Sequence, residues 1–342
     1  MEIGSGLRKV IDTGFAFQQA KVLLAALKFD LFTILGNDSM TGEQIRKKLD
    51  IHPRGLLDFL DCLLCMGFLI RNGVGADAVY SNSEEAKLYL NRDSPYYAGG
   101  ILELANSRLY EVWGDLEEAL KNGRLHNETL AKGKTYYDTI YSDLKLTEEF
   151  ANAMAGASGE NYRLLSEKFD FSNYNTLSDI GGSTALFSIY VCKRHPNISC
   201  TNFDLPAMES IALKNVKKSG LENQIKVASG DFFKDSLPKA EIISMGMILH
   251  NWNLEKKKYL IQAAYNALPD HGVFIVTEMM IDDERKECCA GFLQSLNMLL
   301  EFGEAFDFTV RELKNWCMEA GFKRFEIINL DGPFSAVLAY KR

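Results

Sequence analysis

The sequence is short of the features that define several protein classes. Its seven cysteines among 342 residues have no paired spacing: Cys62 and Cys65 lie in an apolar helical run, Cys192 and Cys200 flank a helix-to-strand turn, and Cys288, Cys289 and Cys317 are scattered. An odd count without a framework points to reduced thiols in a cytosolic protein, not a disulfide scaffold. Cys62-Leu-Leu-Cys65 has redox-motif spacing, but Leu60, Leu63, Leu64 and Met66 around it predict a buried helix face. Excess positive charge is also missing. A formal net charge of −8 argues against a nucleic-acid partner held mainly through phosphates. The N-terminal Met1-Glu-Ile-Gly-Ser-Gly lacks a signal peptide's charged and apolar regions, and no apolar run is expected to reach the roughly 18 residues of a membrane span. The expectation is a soluble, cytoplasmic protein without membrane or nucleic-acid partners. The five histidines show no metal-ligand spacing: His52, His126 and His195 fall in predicted turns, His271 in the Pro269-Asp-His-Gly turn, and only His250 follows a predicted strand. No metal is expected.

What the chain does have is apolar patterning. At 47% hydrophobic residues it can bury a large core, and its length suits two domains. Apolar residues recur at helical spacing from residue 7 to 35, too many for a lone surface helix, so this segment should pack on another element or subunit. Thr41, three residues before Gln44, marks a capping box. Two short helices over residues 41–66, the second from Arg54, precede strands at residues 67–73 and 78–82 around a Gly-rich turn, a winged-helix pattern. Its would-be recognition helix, starting Pro53-Arg-Gly-Leu-Leu-Asp, offers Leu where base and phosphate contacts would be needed, which favours a structural or dimer-forming role. Residues 96–170 read as helical: Tyr96 to Lys121, a piece around Tyr136 to Tyr141, and Thr147 to Phe169, where Thr147-Glu-Glu-Phe has the pattern of a helix start.

From Asn175 the period changes. Candidate strands start at Leu177, Ile198, Ile225, Ala240 and Gly272 and alternate with helices, the signature of an α/β protein with a mostly parallel sheet. Two final strands at Phe325 and Ser335 should add an antiparallel C-terminal hairpin. Chemistry-bearing residues follow successive strands: Gly181 and Gly182, Asp204, Asp231 with Phe232, and His250. In a parallel sheet these carboxyl ends open onto one crevice, where an acid after the second strand suits ribose hydroxyls. His250 with Glu278, which closes the fifth strand, and Asp307 forms a reasonable acid/base unit, because a carboxylate fixes the tautomer and stabilises the imidazolium.

Six segments in order, Asp179-Ile-Gly-Gly, Asn202-Phe-Asp-Leu-Pro206, Gly230-Asp-Phe-Phe-Lys-Asp235, Ile248-Leu-His-Asn-Trp252, Ala267-Leu-Pro-Asp-His-Gly272 and Ser295-Leu-Asn-Met-Leu299, resemble the S-adenosylmethionine-dependent small-molecule O-methyltransferases of the plant caffeic acid and animal acetylserotonin type. The resemblance implies a class I methyltransferase (Rossmann-like) sheet and a homodimer built through the N-terminal helices. The division it suggests is a winged-helix dimerisation domain at 1–95, a helical substrate-lining region at 96–170 and a catalytic domain at 171–342. It further implies S-adenosylmethionine held by Gly181, Gly182, Asp204, Leu205, Asp231 and Phe232, with Tyr141 and Ser158 bordering it. His250 would be the general base, supported by Glu278 and Asp307. The acceptor, a small hydroxylated aromatic molecule, would meet Met154, Asn251, Trp252, Asn297, Met298 and Glu301. Ser183 and Ala185 stand where the family's turn has glycines, Asn251 where many members have Asp, and Met247 where the animal enzyme has Arg. Two other readings stay open: the same fold carrying out C- or N-methylation or a non-methylating reaction, and a winged-helix DNA-binding regulator.

Overall fold

A computed structural model describes residues 3–123 and 140–342. His126 and the expected helical piece at Tyr136 to Thr139 lie outside the described residues. The chain forms two compact units, Met1–Glu111 and Val112–Arg342.

The first unit is helical with a small sheet. It holds α1 (Ile3–Gly14), α2 (Ala16–Lys28), α3 (Leu31–Leu35), β1 (Met40–Thr41), α4 (Gly42–Leu49), α5 (Pro53–Cys65), β2 (Leu69–Asn72), β3 (Val79–Asn82), α6 (Glu84–Tyr89) and α7 (Gly99–Leu104). The Thr41 hydroxyl and the Gln44 side chain cap α4 reciprocally, as the sequence predicts. β1, absent from the sequence reading, joins β2 and β3 in an antiparallel sheet of order β1-β3-β2. Leu31, Phe32, Leu35, Ile45, Leu60, Leu63 and Tyr80 fill the core.

Two expectations change in this unit. Cys62 and Cys65 are exposed, because Leu56, Leu60 and Leu63 form the buried stripe of α5 and the cysteines fall on its other side. Within the run Gly6–Lys28, 23 residues long, an 18-residue window has mean hydropathy 1.2 with only 17% of it buried, so the run is long and apolar enough to cross a membrane by length and composition. The expectation that nothing reaches that length is therefore corrected: residues 10–27 carry only Asp12 and Lys21 as charges, so scattered polar residues do not lower the average enough. The helix breaks at Phe15, and Leu7, Val10, Ile11, Phe15 and Phe17 are exposed.

The second unit carries α8 (Leu116–Asn122), α9 (Leu144–Lys168), β4 (Thr176–Ile180), α10 (Leu186–Arg194), β5 (Ser199–Asp204), α11 (Glu209–Lys218), β6 (Ile225–Ser229), β7 (Ile242–Gly246), α12 (Leu254–Ala267), β8 (Val273–Met279), α13 (Cys289–Phe302), α14 (Val310–Ala320), β9 (Arg324–Asn329) and β10 (Phe334–Tyr340). The sheet order is β6-β5-β4-β7-β8-β10-β9. β4 through β8 run parallel, and β10 inserts antiparallel between β8 and the edge strand β9. All seven expected strands form, each starting within two residues of its expected start.

Strands this apolar must be covered on both faces. Ile243, Met245, Phe274 and Val276 point into one core with Leu260, Leu313 and Phe322, and Leu177, Ile242, Val273 and Ile275 into the other with Phe187 and Val191. Each fully buried side chain of this kind stabilises the fold by about 1.5–3 kcal/mol before chain entropy. Helix α9 begins earlier than Thr147: Asp143 is the N-cap, accepting from the Leu146 N–H, while the buried Thr147 hydroxyl donates to the carbonyls of Ile140 and Asp143. Thr309 and Glu312 form the capping box of α14. The chain order reverses between β4 and β7, so the crevice opens at the carboxyl ends of β4, β5 and β7.

Candidate active site

The first wall of the crevice is the turn after β4. Gly181 has φ +72°, and a Cβ on it would lie 2.2 Å from Cδ1 of Ile248. On Gly182 a Cβ would lie 2.0 Å from Oδ1 of Asn202. Ser183 and Ala185 hold the left-handed conformation too, at φ 47° and 63°, although each carries a Cβ. The turn is tied to the next strand: the Ser183 N–H donates to Oδ2 of Asp204 at 2.8 Å, and the Leu205 N–H donates to Oδ1 at 2.7 Å. Desolvation pushes the Asp204 carboxyl up to about 6 against those two donors. Beneath it, Asp179 accepts from the Ser244 hydroxyl at 2.7 Å, and burial pushes its carboxyl up to about 7.

At the end of β6, Asp231 accepts from Lys234 at 2.8 Å and from the Phe233 N–H at 2.9 Å, which together hold its carboxyl below the usual range. Phe232 and Phe233 meet Trp252 edge to face, with centroids 6.0 and 4.7 Å away. Trp252 therefore belongs to the aromatic wall beside Asp231. Two acids on adjacent strands with half-buried aromatic and apolar side chains beside them match a ribose diol and a purine, so the residues fit an adenosine cofactor.

After β7 the chain turns through Met247, whose φ is 55°, into a single 3-10 turn, Leu249–Asn251. Glu278, 1% exposed on β8, fastens this turn: its Oε1 accepts the backbone N–H groups of Ile248 at 3.1 Å, Leu249 at 2.9 Å and His250 at 3.3 Å. The His250 ring lies between two acceptors. Its Nδ1 is 3.5 Å from Oδ1 of Asp307, and its Nε2 is 3.1 Å from the carbonyl of Met247. Burial disfavours the imidazolium, but the Glu278 and Asp307 carboxylates outweigh it and hold the ring above its ordinary range. Burial also pushes the Glu278 carboxyl up to about 7. The Asp307 N–H donates to the Ser295 hydroxyl at 3.1 Å, which fixes the segment carrying that carboxylate.

On α13, Asn297 accepts from the Trp113 indole N–H at 3.1 Å and donates to Glu301 at 3.3 Å, with Met298 buried alongside. Met154 is half-buried and Ser158 buried one turn apart on α9, and Tyr141 packs on Ala151, Met208 and Ile211. Asn251 donates to the Met247 carbonyl at 3.1 Å. A cavity of about 520 Å³ lies against α13, lined by Arg285, Phe292, Ser295, Leu299, Glu304 and Phe306, none of them predicted from sequence.

Sequence reasoning also missed Asp179 as a buried partner of Ser244, Trp113 as a partner of Asn297, and Lys257. The last is fully buried on α12 inside a Lys256-Lys257-Lys258 run that reads as a solvated face. Only its position three residues before Leu260, on the core side of the helix, could have marked it.

The family model for an O-methyltransferase domain matches residues 113–323, and that for an O-methyltransferase dimerisation domain matches residues 11–92. The chain is 33% identical over 332 residues to the tetracenomycin polyketide synthesis 8-O-methyl transferase TcmO of Streptomyces glaucescens, covering 97% of this chain and 96% of that one. It is 29% identical to the N,N-dimethyltransferase OxyT of Streptomyces rimosus, covering 92% and 90%. The crystal structure of human N-acetylserotonin methyltransferase in complex with S-adenosylmethionine superposes with a TM-score of 0.91 at 26% identity, covering 98% and 97% of the two chains. With most of its length matched and a third of its residues identical to a curated member, the chain belongs to the O-methyltransferase family and is an S-adenosylmethionine-dependent O-methyltransferase.

Proposed function

We propose that this enzyme methylates a hydroxyl group on a small aromatic molecule, with His250 removing the hydroxyl proton. The observation that carries this reading is the placement of the His250 ring between Asp307 and the Met247 carbonyl. With its proton on Nδ1 facing the carboxylate, the neutral ring presents the Nε2 lone pair to another acceptor, an unfavourable contact. Taking a proton at Nε2 turns that contact into a hydrogen bond and puts a positive ring 3.5 Å from the Asp307 carboxylate, so the site favours proton uptake. A phenol, with an ordinary pKa near about 10, is within reach of such a base, whereas an aliphatic alcohol is a harder acceptor.

The cofactor supplies an activated methyl group for in-line displacement, which leaves the protein to align the partners and accept one proton. Asp204 would hold the ribose diol, with Leu205, Asp231 and Phe232 at the adenine, Gly181 and Gly182 letting the backbone approach, and Tyr141 and Ser158 at the border. Glu278 would act through the backbone of the turn and Asp307 through the ring. Met154, Asn251, Asn297, Met298 and Glu301 would face the acceptor, and Trp252 the boundary between acceptor and cofactor. Residues 1–95 would dimerise two copies, 96–170 would line the acceptor site and 171–342 would bind the cofactor. TcmO, named as an 8-O-methyl transferase in polyketide synthesis, supports an acceptor of that general kind.

His250, Glu278 and Asp307 each offer one ligand atom within 4.8 Å of the others, a spacing open to a metal ion. Charge favours the acid/base reading, because the Lys257 ammonium already acts on both carboxylates and a divalent ion would add two further positive charges to a buried place. The test is a screen of phenolic acceptors with labelled methyl donor, wild type beside His250→Ala. Turnover lowered at least about a hundredfold in the variant is expected. Unchanged turnover would remove His250 as base, and methyl transfer only to amines would move the chemistry to nitrogen.

A further inference from the structure

Lys257 is fully buried on α12, between two more exposed lysines. Its ammonium donates to the Trp252 carbonyl and lies 3.5 Å from the centroid of the Phe306 ring and 5.6 Å from that of Phe308. A buried ammonium without a countercharge is costly, and a carbonyl and two ring faces do not neutralise it. The ammonium sits against both segments of the catalytic cluster, because Trp252 follows His250 by two residues and Phe306 and Phe308 flank Asp307, and the carboxylates that favour its charge are Glu278, Asp307 and Glu312. Glu312 is already engaged in the capping box with Thr309.

We infer that Lys257 is a positioning residue whose buried positive charge balances Glu278 and Asp307 and thereby sets the proton affinity of His250. The inference rests on the reading of His250 as the base. Glu278 and Asp307 bear on both cations, so an imidazolium and an ammonium share those two carboxylates, while Glu312 bears on Lys257 alone. Without Lys257 two carboxylates would face one imidazolium, and the ring would hold its proton too tightly to act at neutral pH. The coupling runs in the required directions, since Lys257 lowers the proton affinity of both His250 and Glu278. Burial in turn holds the lysine down to about 8. The groups that bear on His250 are Glu278 from β8, Asp307 from the segment before α14 and Lys257 from α12, and the Tyr162 hydroxyl on α9 faces Glu278 in turn.

Lys257→Met removes charge and donor at similar length, while Lys257→Gln removes the charge and keeps a donor for the Trp252 carbonyl. The readout is the titration of His250 in the full-length protein by NMR with ring-labelled histidine, its signal assigned by its loss in His250→Ala. Both variants should raise the His250 midpoint by about one unit. The acid limb of kcat/KM should move by the same amount, with the KM for S-adenosylmethionine unchanged. The wild-type signal should show a second inflection near pH 8, where Lys257 gives up its proton, and both variants should lack it. A His250 midpoint unmoved in folded Lys257→Gln would overturn the inference. So would a single-step wild-type titration, which needs no variant to fold. If His250→Ala kept full turnover, the base reading would fail while the midpoint shift could still appear, so the two failures are distinguishable.

Discussion

Glu278 gives the sharpest test of how this site is built, because one carboxylate oxygen accepts three backbone N–H groups and the same carboxylate raises the proton affinity of the ring they carry. Glu278→Ala leaves the N–H groups of Ile248, Leu249 and His250 without their acceptor in a buried place. Each such loss costs about 1–3 kcal/mol, and since one oxygen serves all three the sum is not additive, so about 4 kcal/mol is expected. At about 2–4 °C per kcal/mol for a domain of this size, the melting temperature should fall by roughly 8–16 °C.

Glu278→Gln is predicted to behave differently. The amide oxygen can replace Oε1 while the charge disappears. The sign follows from the raised pKa: a carboxyl moved from 4.5 to about 7 gives stability that is fully present below pH 4.5 and lost as pH rises through about 7. Removing the charge relieves a cost on the order of 3 kcal/mol at pH 8 and little at pH 4. Thermal unfolding followed by circular dichroism at pH 5 and pH 8, with kcat/KM against pH alongside, separates these effects. Gln should match or exceed wild-type stability at pH 8, yet lose activity because His250 loses the charge that strengthens it. An Ala variant as stable as wild type would refute the anchoring argument, and a Gln variant as unstable as Ala at pH 8 would refute the charge argument.

Asp204→Asn should weaken S-adenosylmethionine binding by at least about tenfold in calorimetry. In the wild type affinity should fall as pH drops through about 6, because protonation removes an acceptor from the carboxylate; a flat profile from pH 5 to 8 would contradict the ribose assignment. Ser183→Gly should stabilise the protein by about 1 kcal/mol by relieving the left-handed backbone, seen as a rise in melting temperature, while a fall would show that the hydroxyl holds the turn. Asn297→Ala orphans the Trp113 indole N–H and should raise the KM for the acceptor about tenfold without changing cofactor affinity. A change confined to cofactor affinity would place Asn297 outside the acceptor site.

Much of the fold was legible because its signals are local. Thr41 with Gln44 marks a helix start wherever the chain goes, and a parallel sheet brings Gly181, Asp204 and His250 to one edge by topology alone. The failures have local causes too. Thr147 resembles a cap, but its hydroxyl bonds backward to Ile140 and Asp143, one turn inside a helix capped by Asp143. Cys62 and Cys65 sit in an apolar run, yet a helix buries one stripe and the leucines take it.

The sequence by itself determined the order of elements, the strand-end acids and the histidine, because those depend on periodicity and on the direction of strands. Tertiary structure alone decided how the chemistry is assembled. Glu278 grips a backbone turn, the His250 ring faces two acceptors, and one lysine of three is buried where its charge bears on both carboxylates. Contacts between residues far apart in the chain, and the removal of water that makes a charge there matter, leave no trace in the spacing of residues.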